Sequence, residues 1–480
     1  MEKSIEKKEN SKKFLFEKMK VSKAIATLAI PTIISQLINL VYSLVDTIFI
    51  GRVGNPYMVS AITVVFTVYM MTISFSNLFG VGGGSLIARL IGRGEEQEAK
   101  KVSAYSLYMA GFVAILYSLL VFIFLNPILR LLGASSDTIE YAKEYLWIVC
   151  IIGDLPVILS ITLAHILRNC GYARQASFGL SMGGVLNIAF DPLFMFVLLP
   201  KGSEVIGAAL ATLIANVIAC IYLLIVIIRV SKTSPLSIRF KDALNIRKKD
   251  IKELFSVGIP SAILTTMFDI GNIFVNKLAS GHGDLELAAM GIVMKAERLP
   301  NAINIGLCQG TLPLIAYNYA SGNNERRMKI INTSRIYGLS IAAVGIIIYT
   351  ILAKDICKVF LSTTTGNVED SLKVIEYASI YLAIRCFCSP FQFINFSTSY
   401  ILQAVGDGRD TLIHACIRIM VIYIPSMFVL NYLFGMEGLV SAAIFSEAIS
   451  CVIALVLLHL FQKKHILNVK KEEVENNEDI

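Results

Sequence analysis

One carboxylate in this sequence is notable because it lies within a long apolar stretch. Asp46 is preceded, at intervals of three or four positions, by three small polar residues: Gln36, Asn39 and Ser43. That spacing places all of them on one face of a helix. A charge inside a membrane costs roughly 2.5–3.5 kcal/mol on insertion scales, so such a residue needs a reason to be there. We therefore treat this face as a candidate ion-binding and substrate-binding surface.

A second carboxylate, Asp191, follows Asn187 by four residues, so these two side chains also share one helical face. Asp46 and Asp191 both fall near the outer ends of their apolar stretches and can therefore meet at one depth. Two carboxylates with amides nearby make a hard-oxygen site for Na⁺, or a pair that accepts a proton. In the alternative interpretation, Asp46 is an interfacial residue and Asp191 only ends a helix before Pro192.

The second half of the chain contains a similar series. Asp269, Asn272 and Asn276 lie on one helical face and are further candidates for lining a substrate cavity. The next apolar stretch contains three neighbouring charges: Lys295, Glu297 and Arg298. They either handle substrate or coupling charge, or neutralise one another as a structural cluster. Single charges with no partner identifiable from the sequence lie in three other stretches: Asp154, Arg385 and Glu447.

The apolar stretches that carry these residues are predicted to be helices that cross a membrane. Of the 480 residues, 55% are hydrophobic and only 16% are charged, and the mean hydropathy is +0.68. A soluble protein needs more charge on its surface. Because open sheets cannot cross lipid, we predict an all-α integral membrane protein with about twelve transmembrane helices. The apolar stretches, most of them longer than the roughly 20 residues that a span needs, are 24–50, 58–82, 103–126, 142–165, 174–199, 205–228, 255–279, 286–316, 332–353, 374–402, 411–434 and 437–461.

Lysine and arginine predict the orientation. With the N-terminus in the cytoplasm, the inside segments contain the Lys-rich residues 1–23, the basic stretch from Arg229 to Lys252, and the C-terminal lysines. The outside loops keep only a handful of basic residues, such as Arg52. By the positive-inside rule, both termini are cytoplasmic and the protein is a multi-pass protein of the cell membrane. These loops account for the net charge of +8, so we expect no nucleic-acid partner.

The chain contains one internal repeat. The series Gly82…Ala88…Gly94…Lys101 reappears at a constant offset as Gly310…Ala316…Gly322…Lys329. We therefore predict two pseudo-symmetric six-helix lobes, an N-lobe at 24–230 and a C-lobe at 255–462. A basic cytoplasmic linker at 231–254 joins them, and polar cytoplasmic tails occupy 1–23 and 463–480. Parallel repeats of this kind surround a central cavity in transporters that rock one half against the other.

Nothing in the sequence indicates an enzyme. It lacks H-E-x-x-H, Walker and G-x-S-x-G motifs, and its nine cysteines show no metal-binding or disulfide pattern. We therefore expect no cofactor and no metal beyond a possible Na⁺ ion. Because the chain contains no soluble ATPase domain, we expect an ion gradient to supply the energy unless a partner subunit does.

Several motifs resemble, in order, those of multidrug and toxic compound extrusion (MATE) transporters. The resemblance covers both halves, essentially residues 20–462. The residues that carry it are Val45-Asp46-Thr47-Ile48-Phe49-Ile50-Gly51-Arg52-Val53-Gly54 after Pro31, Leu167-Arg168-Asn169-Cys170-Gly171, Asn187 with Asp191-Pro192, Gly207-Ala208-Ala209-Leu210-Ala211-Thr212, and Ile315-Ala316-Tyr317-Asn318-Tyr319-Ala320-Ser321-Gly322.

The resemblance implies twelve helices in two six-helix lobes around a cavity, with drug efflux coupled to the entry of H⁺ or Na⁺. It also implies a cation site in the N-lobe at four residues: Asp46, Asn187, Asp191 and Thr212. One branch of the family uses acids on spans 7 and 10 as well. Asp269 is a candidate on span 7, but no acid occurs between Tyr377 and Val405. The chain therefore looks more like the branch that relies on the N-lobe.

We therefore expect a monomeric secondary transporter that exports amphipathic, often cationic drugs or dyes by alternating access. The alternative is a flippase for lipid-linked oligosaccharides or polysaccharides, of the related superfamily. A flippase should present several basic residues to its cavity to bind a pyrophosphate, whereas acids and amides predominate here. The internal repeat and the missing catalytic motifs argue against a membrane enzyme or sensor.

Overall fold

The computed structural model describes residues 13–53, 55–361 and 368–478, and every regular element within them is helical. Helices are the expected solution, because a chain in lipid must satisfy its backbone hydrogen bonds within each segment. The all-α prediction is therefore confirmed. Residues 1–12 of the predicted N-terminal tail, and the last two residues of the C-terminal tail, lie outside the described residues.

Spans 1 to 6 form the first half of the structure. Span 4 is interrupted, because a π-helical segment and a bend separate its two α-helical parts. Span 5 ends in a second π-helical segment. The bounds of spans 1 to 6 are Val21–Arg52, Pro56–Gly92, Glu96–Ile123, Ile139–Leu146 with Trp147–Ile152 and Asp154–Asn169, Ala173–Leu193 with Phe194–Leu198, and Glu204–Val230.

Spans 7 to 12 form the second half. Span 7 begins at Lys248, so the helix extends back into the stretch that the sequence assigned to the linker. The last long helix is broken at Gly435, where φ is 61° and ψ is −142°, and this break separates span 11 from span 12. The bounds are Lys248–Ala279, Asp284–Ala320, Asn324–Ile351, Val368–Arg385 with Cys386–Cys388 and Ser389–Val405, and Gly408–Cys416 with Ile417–Tyr423 and Ile424–Glu478.

The composition of these helices suits a bilayer. Among the described residues, nine helices are long and apolar enough to cross a membrane, and the two parts of span 4, bent by 46°, bring the number to ten. Counting the helix broken at Gly435 as two, and adding Asp284–Ala320, gives the twelve spans expected from the sequence. Large apolar side chains such as Phe112 and Ile115 are exposed on the outside of the bundle, as a lipid-facing surface requires.

The two halves have separate apolar cores and one core in common. Two clusters of buried side chains lie within or next to spans 1–6, and a third lies within spans 7–12. A fourth joins the two halves, because Ala24, Leu28 and Ala29 of span 1 pack with Leu307 and Leu312 of span 8. The arrangement is that of two lobes that meet along spans 1 and 8 and along spans 2 and 7.

Glycine allows the lobes to approach closely. A Cβ atom added to Gly310 would lie 2.4 Å from the Cα of Ala29, and one added to Gly258 would lie 2.2 Å from the carbonyl oxygen of Leu78. These distances leave no room for a side chain, so the backbones themselves are in contact, as in other close-packed membrane helices. The contacts lie toward the end of the bundle that carries Arg89, Arg247 and Arg326, which we call the basic end.

A buried arginine also crosses the lobe boundary at the basic end. Arg89 of span 2 donates hydrogen bonds of 3.3 and 3.2 Å to the carbonyl oxygens of Gln403 and Ala404, at the end of span 10. Its guanidinium lies 3.8 Å from the carboxylate of Glu253 on span 7. Because the carbonyl oxygens at the C-terminal end of a helix carry partial negative charge, they attract the guanidinium, and this arginine ties one lobe to the other.

The residues before span 1 bind the opposite lobe. Phe16 stacks on Tyr317 of span 8 with 4.9 Å between ring centroids, and the Tyr317 hydroxyl donates to Glu17 at 2.6 Å. Arg326 donates to the carbonyl oxygens of Phe16 and Met19, both at 2.7 Å. Part of the predicted N-terminal tail is therefore a docked segment, and we call residues 14–19 the N-terminal segment.

Candidate functional site

The N-lobe site is built on the outer part of span 5. Asp191 is fully buried and accepts a hydrogen bond of 2.9 Å from the amide of Asn187, one turn earlier. The same amide nitrogen lies 3.4 Å from the hydroxyl oxygen of Thr212 on span 6. Gly183 and Gly184 let span 5 approach its neighbours, because a Cβ at Gly184 would lie 3.0 Å from the ring of Tyr42 on span 1. Small residues on span 5 therefore bring three spans together.

Asp46 of span 1 completes this site. Asp46 and Asp191 both lie near enough to Tyr42 and Tyr145 to act electrostatically on their hydroxyls, and Asp46 acts on Asp191 as well. One oxygen of each carboxylate, Oδ1 of Asp46 and Oδ2 of Asp191, is enclosed without a hydrogen-bond partner. Neither acid forms an ion pair among the described residues. Span 1 thus brings a second carboxylate to the one on span 5.

The donor atoms at this site suit a small hard cation. Two carboxylates, an amide and a hydroxyl offer oxygen ligands, which Na⁺ and similar cations prefer. A carboxylate of such a pair can instead bind a proton. The described residues contain no cluster of three or more His, Cys, Asp or Glu side chains suited to a metal ion. The tyrosines at the site did not emerge from the sequence, although Tyr42 lies one turn before Asp46 on the same helical face.

A cavity of about 390 Å³ lies mainly in the C-lobe. Asp269 and Asn272 of span 7 line it, as the sequence suggested, with amides and aromatic rings from spans 8, 10 and 11. Met70 and Asn77 of span 2 line it from the N-lobe. It is therefore a central cavity with walls from both lobes.

Two ion pairs in the cavity wall give partners to charges that the sequence left single. Arg385 forms a bidentate pair with Glu297, with N–O distances of 2.6 and 2.9 Å. Arg418 approaches Glu447 to 2.6 Å, and Asn395 donates to the same carboxylate at 2.6 Å. These pairs link span 8 to span 10 and span 11 to span 12.

The acids of these pairs face the cavity more than the arginines do. Glu297 is 20% exposed and Arg385 10%, while Glu447 is 13% exposed and Arg418 1%. The Arg418 guanidinium lies between two aromatic rings, those of Phe268 and Phe396, at 4.8 Å from each centroid. Each arginine thus lies deeper in the wall than the glutamate with which it pairs, and the glutamate carboxylates are the more exposed groups. Arg298 also lines the cavity.

The structure places the remaining predicted residues apart from one another. Gln36 donates to Gln309 of span 8 at 3.2 Å, which connects it to the cavity wall. Three other candidates from the polar series of spans 1 and 7 do not line this cavity: Asn39, Ser43 and Asn276. The polar series on span 1 therefore divides, with Gln36 at the lobe boundary and Asp46 at the N-lobe site.

Comparison with known proteins gives consistent results. A family model described as MatE matches residues 31–193 and 258–433, which lie in both lobes. The multidrug export protein MepA of Staphylococcus saprophyticus is 30% identical over 466 residues, covering 96% of this chain and 98% of that protein. The MepA protein of Staphylococcus haemolyticus is 30% identical over 454 residues, covering 94% and 96%.

Solved structures share the fold. The chain superposes on a multidrug resistance MATE family transporter in an outward-facing conformation with a TM-score of 0.86, covering 96% of this chain and 98% of that one at 22% identity. A MATE structure in complex with MaL6 gives a TM-score of 0.87, covering 95% and 99% at 22% identity. The two-lobed arrangement of twelve helices is thus that of known transporters, and the expectation that the chain is not an enzyme is confirmed by its family. Its motifs, the family match in both lobes and relatives similar over nearly its whole length show that the chain belongs to the MatE family of multidrug and toxic compound extrusion transporters.

Proposed function

We propose that this protein is a secondary transporter that exports amphipathic small molecules in exchange for H⁺ or Na⁺. The observation that carries the coupling is the N-lobe site, where Asp46 and Asp191 are close enough to interact electrostatically and neither forms an ion pair among the described residues. Two such carboxylates repel unless a proton or a cation lies between them. Asn187 and Thr212 supply the further oxygen atoms that a bound Na⁺ would use.

Binding of the cation acts on the helices that supply its ligands. Asp46 lies on span 1, Asp191 on span 5 and Thr212 on span 6, so a filled site favours a packing of these spans that an empty site does not. A ligand shifts a conformational equilibrium only by its differential affinity for the two states. Exchange follows if cation and drug favour opposite states of the transporter, because each then drives release of the other.

Two features support alternating access between two lobes. The backbone contacts of Gly258 and Gly310, and the hydrogen bonds of Arg89, join the lobes toward the basic end. The cavity has walls from both lobes and can therefore face one side of the membrane or the other as the lobes rock. By the distribution of lysine and arginine, the basic end and both termini face the cytoplasm of the cell.

The central cavity suits drugs that carry a positive charge. Asp269 presents a carboxylate to it, and Glu297 and Glu447 are the more exposed members of two ion pairs in its wall. Phe268 and Tyr400 supply aromatic surface. A lipophilic cation loses its hydration on entry and needs both kinds of contact in return. The staphylococcal relatives are named multidrug export proteins, which agrees with the export of small molecules.

The alternative, a flippase for lipid-linked sugars, rests on the three arginines in the cavity wall. Arg385 and Arg418 are each neutralised by a glutamate, which leaves Arg298 to meet an anionic substrate. One exposed arginine is a weak site for a pyrophosphate, which usually takes several cationic groups. We therefore favour efflux of cationic drugs.

Transport in proteoliposomes tests this proposal. Purified protein should move ethidium against its gradient when either a pH gradient or a Na⁺ gradient is imposed, and the effective gradient identifies the coupling ion. Dye movement that is independent of both gradients would refute cation coupling. If the protein moved none of a panel of cationic dyes but flipped a lipid-linked sugar across the bilayer, the result would favour the flippase.

A further inference from the structure

A third buried carboxyl lies in the N-lobe, outside the site described above. Asp154 is 0% exposed and is the first residue of the second α-helical part of span 4. One oxygen, Oδ1, accepts a hydrogen bond of 2.6 Å from the Thr72 hydroxyl on span 2, and Ser118 of span 3 is also near. The other oxygen, Oδ2, is enclosed without a hydrogen-bond partner.

Within the part of the chain that the structure describes, Asp154 has no cationic partner. Its titratable neighbours are Tyr69 on span 2, Tyr117 on span 3 and Cys150 on its own span, all of which are neutral or acidic groups. Among the described residues, no lysine, arginine or histidine pairs with it. A lone carboxylate charge in such a place is costly, whereas an uncharged carboxylic acid needs only hydrogen bonds. The geometry is that of an acid that carries its proton in this conformation.

Two tyrosines interact both with each other and with the carboxyls on either side, Asp154 and those of the N-lobe site. Tyr69 responds electrostatically to Asp154 and to Asp46, and its side chain hydrogen-bonds that of Tyr42. Tyr42 in turn responds to Asp46 and Asp191. The three carboxyls therefore belong to one electrostatic network, in which the charge on one affects the charge on the others.

The bend in span 4 gives this acid a means of changing its surroundings. The two parts of span 4 are bent by 46° relative to each other. The π-helical segment Trp147–Ile152 and Gly153 come directly before Asp154. π-Helical segments often mark functional sites, and a bend is a place at which a helix can change its angle. A different angle would move Asp154 relative to Thr72 and alter its access to water.

We propose that Asp154 is a third proton-binding carboxyl of the N-lobe, which holds a proton in the present conformation and exchanges it when span 4 changes its bend. This proposal rests on the proposed function in one respect, because it assigns part of the coupling to protons. It adds a second place where a proton is bound, separate from the pair Asp46 and Asp191, and names the helix whose shape depends on it.

Infrared spectroscopy of the purified full-length protein tests the proposal without relying on transport. The carbonyl stretch of protonated carboxyl groups should contain a component that is lost in Asp154→Asn but kept in Asp46→Asn. In Thr72→Val the carboxyl remains but loses its hydrogen bond, so the same component should shift in frequency. If neither variant changes the carboxyl bands, Asp154 is not a protonated acid and the proposal is wrong.

Transport then separates this proposal from the proposed function. Asp154→Asn should reduce ethidium movement driven by a pH gradient, with ethidium binding retained, and Asp154→Glu should restore part of it. If wild-type protein responds to neither gradient, the coupling proposal fails, yet the infrared result still decides whether Asp154 binds a proton. Full pH-driven transport by Asp154→Asn would show that this proton has no part in coupling.

Discussion

The amide nitrogen of Asn187 lies 2.9 Å from Oδ1 of Asp191 and donates a hydrogen bond to it, which orients that carboxylate and leaves its other oxygen enclosed without a partner. The unpartnered oxygen of this oriented carboxylate is available to bind a cation or a proton reversibly. Because Asp46 supplies a similar unpartnered oxygen, the pair is the part of the N-lobe on which cation coupling should depend most.

Neutralising either acid should therefore abolish coupled transport. Asp46→Asn and Asp191→Asn each imitate a protonated carboxyl and remove the repulsion that a cation relieves, so gradient-driven ethidium efflux should be lost in both. The double variant should be no worse than either alone, because residues that act as a unit are not additive. Insertion should remain intact, since removing an intramembrane charge lowers its cost.

The matched control for this experiment is Asp355→Asn, because Asp355 is exposed and its ion-pair partner among the described residues is Lys358. It should transport like the wild type. If Asp46→Asn and Asp191→Asn both retain wild-type coupled transport, the N-lobe site is wrong and Asp269 becomes the leading candidate.

A methyl group at Gly310 should force the lobes apart. In Gly310→Ala the new Cβ would meet the backbone of Ala29 at 2.4 Å, which cannot yield as a flexible side chain can. Overpacking of this kind costs about 1–3 kcal/mol. The expected results are a longer distance between spin labels on the ends of spans 2 and 8 at the basic end, and slower transport.

Gly345→Ala is the control for that variant, because a Cβ at Gly345 meets nothing within 4 Å. It should leave both distance and transport unchanged. An unchanged label distance in Gly310→Ala, in protein that is correctly folded, would argue that this contact does not hold the lobes together.

Breaking the ion pair between Arg418 and Glu447 should destabilise the C-lobe. In Glu447→Gln the arginine, 1% exposed, keeps its charge without a counter-charge, which typically costs about 3–5 kcal/mol. A lower Tm in detergent should reveal this loss. The double variant Arg418→Met with Glu447→Gln should recover part of it, because no charge is then left alone.

The surface pair of Lys329 and Glu325 provides the comparison for the buried pair, since its side chains are mostly exposed. Glu325→Gln should leave the Tm almost unchanged, because water screens an exposed pair. Equal effects of the exposed and the buried substitution on Tm would contradict the role that we assign to Arg418.

A cluster at the basic end predicts a dependence on pH. Arg247, which contacts Glu95 at 2.7 Å, holds the pKa of that carboxyl below its usual value of 4.5. Because the pKa is lower in the folded state, the contribution to stability is complete above the unfolded pKa and is lost as the pH falls through the folded one. Since both groups are partly exposed, the contribution should be small.

Thermal unfolding of the wild type and of Glu95→Gln measures this contribution. The wild type should have the higher Tm near neutral pH, and the difference should vanish as the pH falls below the usual range of a glutamate pKa. A difference that persists unchanged at low pH would mean that the charge of Glu95 is not its cause.

Local patterns in the sequence predicted the spans and the residues of the N-lobe site. Asn187 and Asp191 are one turn apart on one helix, so their proximity follows from helical periodicity alone. The pairing of Asp46 with Asp191 was predicted from their similar depth near the outer ends of their spans. The inclusion of Thr212 came from the resemblance to a family, because no local rule brings span 6 to this site.

Contacts between distant spans could not be predicted in this way. Glu297 and Arg385 are 88 residues apart, and their pairing depends on how spans 8 and 10 pack in three dimensions. The π-helical segment before Asp154 leaves no sequence signal either, since Trp147–Ile152 reads as an ordinary apolar stretch. The start of span 7 at Lys248 escaped prediction because a helix can continue beyond the bilayer into polar sequence.

The N-terminal segment also sets a mechanical limit on the transporter. Arg326 holds the carbonyl oxygen of Met19 to the C-lobe, while span 1 of the N-lobe begins at Val21. Two peptide units, roughly 7 Å of fully extended chain, are all that connects these points. The N-terminal segment therefore tethers the two lobes: they can separate here by only a few ångströms before Met19 detaches from span 9 and Phe16 from span 8. Opening this end of the bundle requires the release of that tether.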